Sequence, residues 1–193
     1  MTYSYPIVQI DSKIKIKVFD GVYKPAEDSY LLIESIDAKD CKKALDMGCG
    51  TGIVALHLAK FCSVMAVDVN EKAVENTIYN ARLNGIDLKV VKSNLFSSIH
   101  EKFDIIAFNP PYLPTKGEDI AWDGGKHGIE VLKKFFKSAW RYLNENGRIY
   151  FIASSLSGID RLIKKFPVYE FKKLEERAFF FEKIYAYMAK LIQ

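Results

Sequence analysis

The sequence lacks the long apolar runs and the cysteine pairs that would indicate a membrane or secreted protein. No run of about 18 apolar residues occurs, so no membrane-spanning helix is predicted. The opening residues, MTYSYPIVQI, lack the basic region and apolar core of a secretory signal. The cysteines Cys41, Cys49 and Cys62 make neither a CxxC pair nor a metal-ligand spacing, so no metal site is predicted. An odd number of cysteines without an export signal predicts reduced thiols and a cytoplasmic location.

A large excess of charge is also missing. The formal net charge is +4, from 28 basic and 24 acidic residues, which is too small to indicate a nucleic-acid surface by itself. The lysines of residues 133–137 flank Phe135 and Phe136, and this pattern favours an amphipathic helix with a solvated face. With 49% hydrophobic residues, the 193-residue chain can bury a full core, and we predict one domain over residues 1–193.

Strand and helix patterns alternate along the chain. Apolar residues at every second position of KIKIKVF, residues 13–19, predict a half-buried strand. A helix with Glu27 and Asp28 in its first turn follows, and residues 1–36 are predicted to form an extension that packs on the site described below. Further strands are predicted at residues 43–47, 63–69, 88–91, 104–108, 148–154, 168–177 and 183–190. Helices are predicted between them at residues 52–61, 71–85, 129–147 and 160–166. This alternation predicts an α/β, doubly wound, mostly parallel sheet with helices on both faces and an antiparallel final pair.

A glycine-rich turn, LDMGCGTG at residues 45–52, follows the first of these later strands. Gly48, Gly50 and Gly52 allow a tight turn and close approach of a ligand to the next helix. A dinucleotide fingerprint would need glycine at position 53, where Ile53 stands, so a pyrophosphate is disfavoured. Taken alone, the turn could be only a glycine-rich connection.

Two carboxylates argue for a cofactor at this turn. Asp46 precedes the first glycine, and Asp68 ends the next strand, where an acidic residue can accept hydrogen bonds from ribose hydroxyls. Carboxylates suit a cationic cofactor better than a pyrophosphate.

The acidic residue followed by G-x-G-x-G resembles the first motif of class I S-adenosylmethionine-dependent methyltransferases. That resemblance implies a Rossmann-like seven-stranded sheet of order 3-2-1-4-5-7-6 with the last strand antiparallel. It implies S-adenosyl-L-methionine as cofactor and S-adenosyl-L-homocysteine as product. It places Asp46 near the methionine end and Asp68 near the ribose, with Gly48 and Gly50 also in contact. It further implies contact of Asn94 and Leu95 with the adenine, although an aspartate is commoner at the first of these positions.

The segment FNPPY, residues 108–112, ends the predicted strand at 104–108 with an unusual corner. The Asn109 side chain and the Pro110 carbonyl offer two acceptors on a backbone that the prolines stiffen. Together these acceptors can hold both hydrogens of a planar NH₂ group, on which the Tyr112 ring can stack. Asn109, Pro110 and Tyr112 are therefore predicted to be catalytic, by positioning and electrostatics, without a dedicated general base. Asn109, Pro111 and Tyr112 are predicted to bind the substrate, and Asn109 to touch the cofactor as well. A proline-rich strand end with no catalytic role is the alternative.

Two further segments narrow the substrate. GVYKPAEDSYLL, residues 21–32, and WDGGKHGIEVLKKFF, residues 122–136, resemble the HemK-like glutamine methyltransferases of archaea and eukaryotes. The resemblance implies methylation of the glutamine side-chain amide in the Gly-Gly-Gln motif of a peptide chain release factor, with Ser29 against the cofactor. Lys126 and His127 stand where an arginine–asparagine pair is more typical of that family.

The same resemblance implies a partner, a small zinc-binding activator protein that forms a heterodimer with the methyltransferase. In the implied strand order, residues 88–91 form a sheet edge to which a partner could add a strand.

The long connection at residues 113–128 is predicted to be a functional lid, with Trp122 clamping a peptide. His57, His100 and His127 are isolated and predicted to be structural or exposed.

Two other functions remain open from the sequence. An amino-methyltransferase acting on adenine or guanine in RNA or DNA would use the same corner. The chain is nevertheless too short for a separate target-recognition domain, and nucleic acid is not required by any motif. A cofactor-binding scaffold without catalysis is the other possibility, and the intact NPPY corner argues against it.

Overall fold

A single mixed sheet forms the centre of the protein. The computed structural model describes residues 7–112 and 129–192. Within them the sheet has seven strands: β1 (Lys43–Met47), β2 (Ser63–Asp68), β3 (Lys89–Lys92), β4 (Phe103–Phe108), β5 (Leu143–Ser154), β6 (Tyr169–Ala178) and β7 (Lys183–Leu191). Their order is β3-β2-β1-β4-β5-β7-β6. The first five strands pair in parallel, and β7 runs antiparallel to both β5 and β6. The predicted fold class and strand order are confirmed.

Helices cover both faces of this sheet. They are α1 (Glu27–Ser35), α2 (Ile53–Leu58), α3 (Glu71–Leu83), α4 (Glu130–Ala139) and α5 (Ile159–Lys165), with a 3₁₀ turn at Trp140–Tyr142. None of the helices in the described ranges is long and apolar enough to cross a membrane. Alternate residues of each central strand point to opposite faces, so Leu45 joins one buried cluster and Ala44 the other. The first cluster contains α4 and α5 side chains, and the second contains those of α1 and α2.

The predicted strand at residues 13–19 is wrong. Residue 13 lies in a turn, and residues 14–19 join no strand of the sheet. They belong to a segment, residues 11–22, that we call the N-terminal strap. Its backbone is bound by side chains of α3 instead of by another strand. The Lys15 N–H donates to Asn84 Oδ1 at 2.8 Å, and Asn84 Nδ2 donates back to the Lys15 carbonyl at 2.8 Å.

Three asparagines at every fourth position of α3 and its C-cap repeat this arrangement, and we call them the asparagine ladder: Asn76, Asn80 and Asn84. The Lys17 N–H donates to Asn80 Oδ1 at 2.9 Å, and the Phe19 N–H donates to Asn76 Oδ1 at 2.8 Å. Four helical residues rise about 6 Å and two extended residues span about 6.6 Å, so the two repeats stay in step. The alternation of KIKIKVF therefore reflects pairing with a helix.

The helix predicted at residues 129–147 ends too late. α4 stops at Ala139, and the residues from Leu143 onward belong to β5. The register between β4 and β5 shifts at this end of the strands, and Asn146 adopts a φ of 61° there. A Cβ at Gly147 would lie 2.9 Å from the Asn144 carbonyl oxygen, so this glycine is needed for close strand packing. The sequence NENG thus forms a strand irregularity, which resembles a helix C-terminus in sequence.

The prediction of reduced thiols is wrong for two of the three cysteines. Cys41 and Cys62 form a disulfide across 21 residues, and Cys49 is free and buried. The parallel register of β1 and β2 pairs Lys43 with Ser63, which places the two preceding segments side by side. Cysteine spacing alone could not show this proximity, because it depends on how the two strands align.

Candidate active site

A cavity of about 440 Å³ opens at the carboxyl edge of the parallel strands. The ends of β1, β2 and β4 line it, together with the connection after β3. The end of the N-terminal strap and the start of α1 line it as well, through Val22, Tyr23, Pro25 and Asp28. The crevice beyond the carboxyl ends of parallel strands is the usual ligand site of such sheets.

The glycine-rich turn between β1 and α2 has the backbone conformation that the sequence predicts. Gly48, Gly50 and Gly52 all have positive φ values, of 67°, 54° and 83°. A Cβ at Gly52 would lie 2.8 Å from Thr77 Cγ2, so α3 packs directly on this turn. The hydroxyl of Thr77 donates to the Gly50 carbonyl at 3.0 Å. The turn is held by α3 in a form that leaves the cavity open beside it.

The carboxylates of Asp46 and Asp68 both line the cavity. Asp46 is 2% exposed and accepts a hydrogen bond from the Ala55 N–H at 3.0 Å. Asp68 accepts from the Gly50 N–H at 3.0 Å and from the Asn70 N–H at 2.9 Å. Burial raises the pKa of Asp46 to about 8, and the charge of Asp68 adds to the rise. The hydrogen bond from the Ala55 N–H opposes it. Burial also raises the pKa of Asp68, and its backbone hydrogen bonds oppose that rise.

Neither carboxylate forms an ion pair with a basic side chain of the described residues. A buried and a half-buried carboxylate without a counter-ion fit a ligand that brings positive charge and hydroxyl donors. The two carboxylates of the cavity therefore suit a cationic nucleoside as ligand.

The connection after β3 forms the adjoining wall. Asn94 and Leu95 both line the cavity, as predicted. Leu95 has a positive φ of 50°, and its carbonyl accepts from the Ser93 hydroxyl at 2.7 Å. The Ser93 N–H in turn donates to the Asp68 carbonyl at 2.9 Å, which ties this wall to β2. The two predicted residues thus lie beside Asp68 along one side of the cavity.

The corner after β4 supplies a free acceptor. Asn109, Pro110, Pro111 and Tyr112 all line the cavity. The side-chain oxygen Oδ1 of Asn109 is buried and has no hydrogen-bond partner among the described residues. A buried acceptor without a partner costs about 1–3 kcal/mol, so folded proteins seldom retain one without a use. Asn109 Oδ1 is therefore suited to accept a hydrogen from a bound ligand.

A buried carboxylate holds the tyrosine of this corner. The Tyr112 hydroxyl donates to Asp28 Oδ2 at 3.1 Å, and the Tyr23 hydroxyl donates to the same carboxylate at 2.9 Å. Asp28 is 4% exposed and also accepts from the Ser29 N–H at 2.6 Å. Burial and the Asp28 charge together raise the pKa of Tyr112 well above its usual value. Tyr112 therefore stays protonated as a donor at ordinary pH, with its ring fixed at the edge of the cavity.

Sequence reasoning missed Tyr23 and Asp28 as site residues. An acidic residue in the first turn of a helix already has a structural explanation, so Asp28 gave no separate signal. Ser29 is 3% exposed, donates from its hydroxyl to Asp28 at 3.2 Å and is not among the residues that line the cavity. Its contact with a cofactor stays a prediction.

Other predicted features lie away from the cavity or outside the described residues. His57 is 2% exposed, and its ring accepts from the Asp11 N–H at 3.0 Å and contacts the Ile53 carbonyl at 2.7 Å. It holds the start of the strap, a structural role as predicted. The predicted lid at residues 113–128, with Trp122, Lys126 and His127, lies outside the described residues.

The chain is similar to proteins of one known family. The model of the methyltransferase small domain matches residues 18–180. The chain belongs to this methyltransferase family. The matched range contains β1 to β6 and every predicted site residue.

Relatives of named function indicate the subfamily. A protein of Methanocaldococcus jannaschii named as a candidate N5-glutamine methyltransferase is 39% identical over 176 residues, covering 86% of this chain and 88% of the relative. The human methyltransferase HEMK2 is 30% identical over 166 residues, covering 76% of this chain and 78% of the relative. These matches confirm the HemK-like family, and the methyl donor of this methyltransferase is S-adenosylmethionine.

A solved structure agrees with both the fold and the subfamily. The Mtq2–Trm112 complex of E. cuniculi contains a chain that superposes with a TM-score of 0.74 and 25% identity, covering 89% of this chain and 99% of that one. That complex is described as responsible for methylation of the translation termination factor eRF1.

Proposed function

We propose that this methyltransferase transfers a methyl group to the side-chain amide nitrogen of the glutamine in the Gly-Gly-Gln motif of a peptide chain release factor. The unpartnered, buried Oδ1 of Asn109 carries the proposal, because it offers an acceptor for an N–H hydrogen beside the predicted cofactor site. The names of the M. jannaschii relative and of the E. cuniculi complex support a glutamine of a termination factor.

The cofactor side of the cavity has the residues that S-adenosylmethionine needs. The cofactor supplies an electrophilic methyl group on a positively charged sulfur. Asp46 would hold the methionine end and Asp68 the ribose, with the backbone of Gly48 and Gly50 between them. Asn94 and Leu95 would contact the adenine, and Ser29 would lie against the cofactor. The backbone amides that already bind Asp68 fix its carboxylate, so little reorganisation is needed on binding.

The acceptor side would hold an amide that is a weak nucleophile. The amide lone pair is delocalised into its carbonyl group. Asn109 Oδ1 and the Pro110 carbonyl would each accept one hydrogen of the NH₂ group and turn its nitrogen toward the methyl donor. The Tyr112 ring, fixed through Asp28, would stack on the amide plane. Nitrogen gains the methyl group, sulfur keeps the electron pair of the broken bond, and the amide loses one proton to solvent.

A partner would complete the enzyme. β3 has β2 as its neighbour and forms one edge of the described sheet. We propose that a small zinc-binding activator protein adds a strand at this edge to give a heterodimer. The E. cuniculi structural neighbour is a complex with Trm112, which supports such a partner. A function on release factors also supports a cytoplasmic location.

The proposal is tested by incubating the chain with labelled methyl donor and one methyl acceptor, which is release factor, RNA or DNA. Each reaction is run with and without the activator. We expect label on the glutamine of the factor and a marked gain in activity with the activator. Label on adenine or guanine, and none on the factor, would favour the alternative amino-methyltransferase function.

The hydroxyl of Tyr112 gives a second test within the site. Tyr112→Phe keeps the stacking ring and removes its hydrogen bond to Asp28. We expect kcat to fall about 10-fold, because the freed ring no longer fixes the amide plane, with cofactor affinity unchanged. Tyr23→Phe is the matched control, since it removes a donor from the same carboxylate and leaves Tyr112 bound. Equal losses in steady-state kinetics of the two variants would show that Asp28 does not act through Tyr112.

A further inference from the structure

Two phenylalanines are almost fully exposed on the turn between β6 and β7. Phe180 is 93% exposed and Phe181 is 84% exposed. Their rings pack edge to face, with centroids 4.8 Å apart, so they present one continuous apolar surface. We call this pair the aromatic tip. Keeping two such rings in water is unfavourable, which makes a contiguous exposed pair more informative than a single exposed apolar residue.

The aromatic tip stands on a well-anchored turn. The Phe179 N–H donates to the Glu182 carbonyl at 2.7 Å and closes the turn. The Ser154 hydroxyl at the end of β5 donates to the Glu182 carboxylate at 2.8 Å. The Lys183 N–H donates to the Ser155 hydroxyl at 2.9 Å. The turn that carries the two rings is therefore fixed to the end of β5 in the folded protein.

The aromatic tip lies at the same edge of the sheet as the candidate active site. Ser154 ends β5, and its neighbouring strand β4 leads directly into Asn109. Near the base of the turn, the Arg177 guanidinium pairs with Glu27 and Glu34 of α1, the helix that carries Asp28. Burial and the Asp28 charge are larger causes of the raised pKa of Tyr112, and the charge of Glu182 adds to them. The turn is therefore close enough to Tyr112 for their charges to interact.

We propose that the aromatic tip is a docking site for the protein substrate, an inference that rests on the proposed function. Only one side chain of a folded substrate can enter the cavity, so the surface around that side chain must face this edge of the sheet. The aromatic tip then packs into an apolar depression beside the loop that carries the methylated glutamine. Rigid aromatic side chains bury large areas at low entropic cost, which is why they dominate binding at protein interfaces.

The test compares a whole protein substrate with a short peptide. Phe180→Ser and Phe181→Ser are introduced together into the chain co-expressed with its activator. Rates are measured on a purified archaeal release factor and on a peptide of its Gly-Gly-Gln loop. We expect the KM for the factor to rise about 10-fold, while kcat and the KM values for peptide and cofactor stay unchanged. Trp140→Ala is the matched control, because Trp140 is also an exposed aromatic residue, at 46%. It precedes β5 and so lies at the amino end of that strand, away from the cavity.

The outcomes separate docking from catalysis. An unchanged KM for the factor in the double variant, with normal glutamine methylation, would overturn the docking site and leave the proposed function intact. Equal increases in KM for factor and peptide would also overturn it, since the rings would then act at the cavity itself. A wild-type dimer that the double substitution converts to a monomer would assign the rings to self-association. Failure of the wild-type enzyme to label the factor would refute the proposed function itself.

Discussion

Asn109→Ala is expected to lower the rate of methyl transfer to release factor by about 100- to 1000-fold. The buried Oδ1 of Asn109 has no partner among the described residues, so a substrate hydrogen can bind it without displacing another contact. Alanine leaves that hydrogen unpaired inside the cavity and lets the amide rotate away from the methyl donor. Cofactor affinity should change by no more than about 3-fold, because Asp46 and Asp68 stay in place. Single-turnover rates and cofactor titration measure the two effects separately.

Two further variants make this result specific. Asn109→Asp retains acceptor oxygens at the same place and should preserve more activity than Asn109→Ala. Asn144→Ala removes an asparagine that binds Asp104 at the far end of β4 and β5, and it should leave transfer unchanged. Transfer by Asn109→Ala at the wild-type rate would refute the role of the corner.

Asp46→Asn is expected to stabilise the cofactor-free protein at alkaline pH. Burial raises the pKa of Asp46 to about 8, above the value of 3.8 that applies to an exposed carboxyl. The fold thus favours the protonated form, and the free energy of unfolding falls as pH rises from about 4 to about 8. Asparagine cannot ionise, so it removes this loss and should raise the free energy of unfolding at pH 9 by roughly 3 kcal/mol. Urea unfolding at pH 5 and pH 9 measures the difference.

The same substitution should weaken cofactor binding by about 10- to 100-fold. Asparagine can still accept the Ala55 N–H, but it offers no charge to a cationic ligand. Cofactor binding to the wild-type protein should release a proton near pH 7, because the ligand charge favours ionised Asp46, and Asp46→Asn should abolish this release. Calorimetry in two buffers of different ionisation enthalpy detects it. Equal stability of the two proteins at pH 9 would show that Asp46 ionises without cost.

Elements whose pattern is local could be predicted from the sequence. β1 occupies residues 43–47 as predicted, and the apolar, β-branched strands β2 and β4 differ by one residue at one end. The KIKIKVF segment could not be predicted, because alternation shows that one face is covered and says nothing of what covers it. The partner here is the asparagine ladder of α3, whose spacing happens to match an extended chain. The Cys41–Cys62 disulfide likewise depends on strand register.

The residues of the candidate site also fall into two groups, those that could be predicted from the sequence and those that could not. Asp46, Asp68 and Asn109 could be found because each lies within two residues of the carboxyl end of a strand, and the carboxyl ends of parallel strands meet at one edge. Asp28 and Tyr23 could not be found, because they reach the cavity from an extension outside the sheet. The hydrogen bond between Tyr112 and Asp28 joins residues 84 positions apart, and no local pattern indicates such a pair.

The asparagine ladder ends in a chemically fragile sequence, because Asn84 is followed by Gly85. Asparagine is a thermolabile residue, and before glycine its side-chain carbonyl is open to attack by the next backbone nitrogen, which ends in loss of the amide. In the folded protein both groups are occupied, since Asn84 binds Lys15 and the Gly85 N–H donates to the Arg82 carbonyl at 3.1 Å.

Unfolding releases both groups together. Deamidation then converts Asn84 into an aspartate that can accept from the Lys15 N–H but cannot donate to the Lys15 carbonyl, so the strap loses one of its two hydrogen bonds at this position. Each period spent unfolded at high temperature therefore exposes Asn84 to deamidation. Refolding does not reverse this covalent change, so we expect heat inactivation to become partly irreversible.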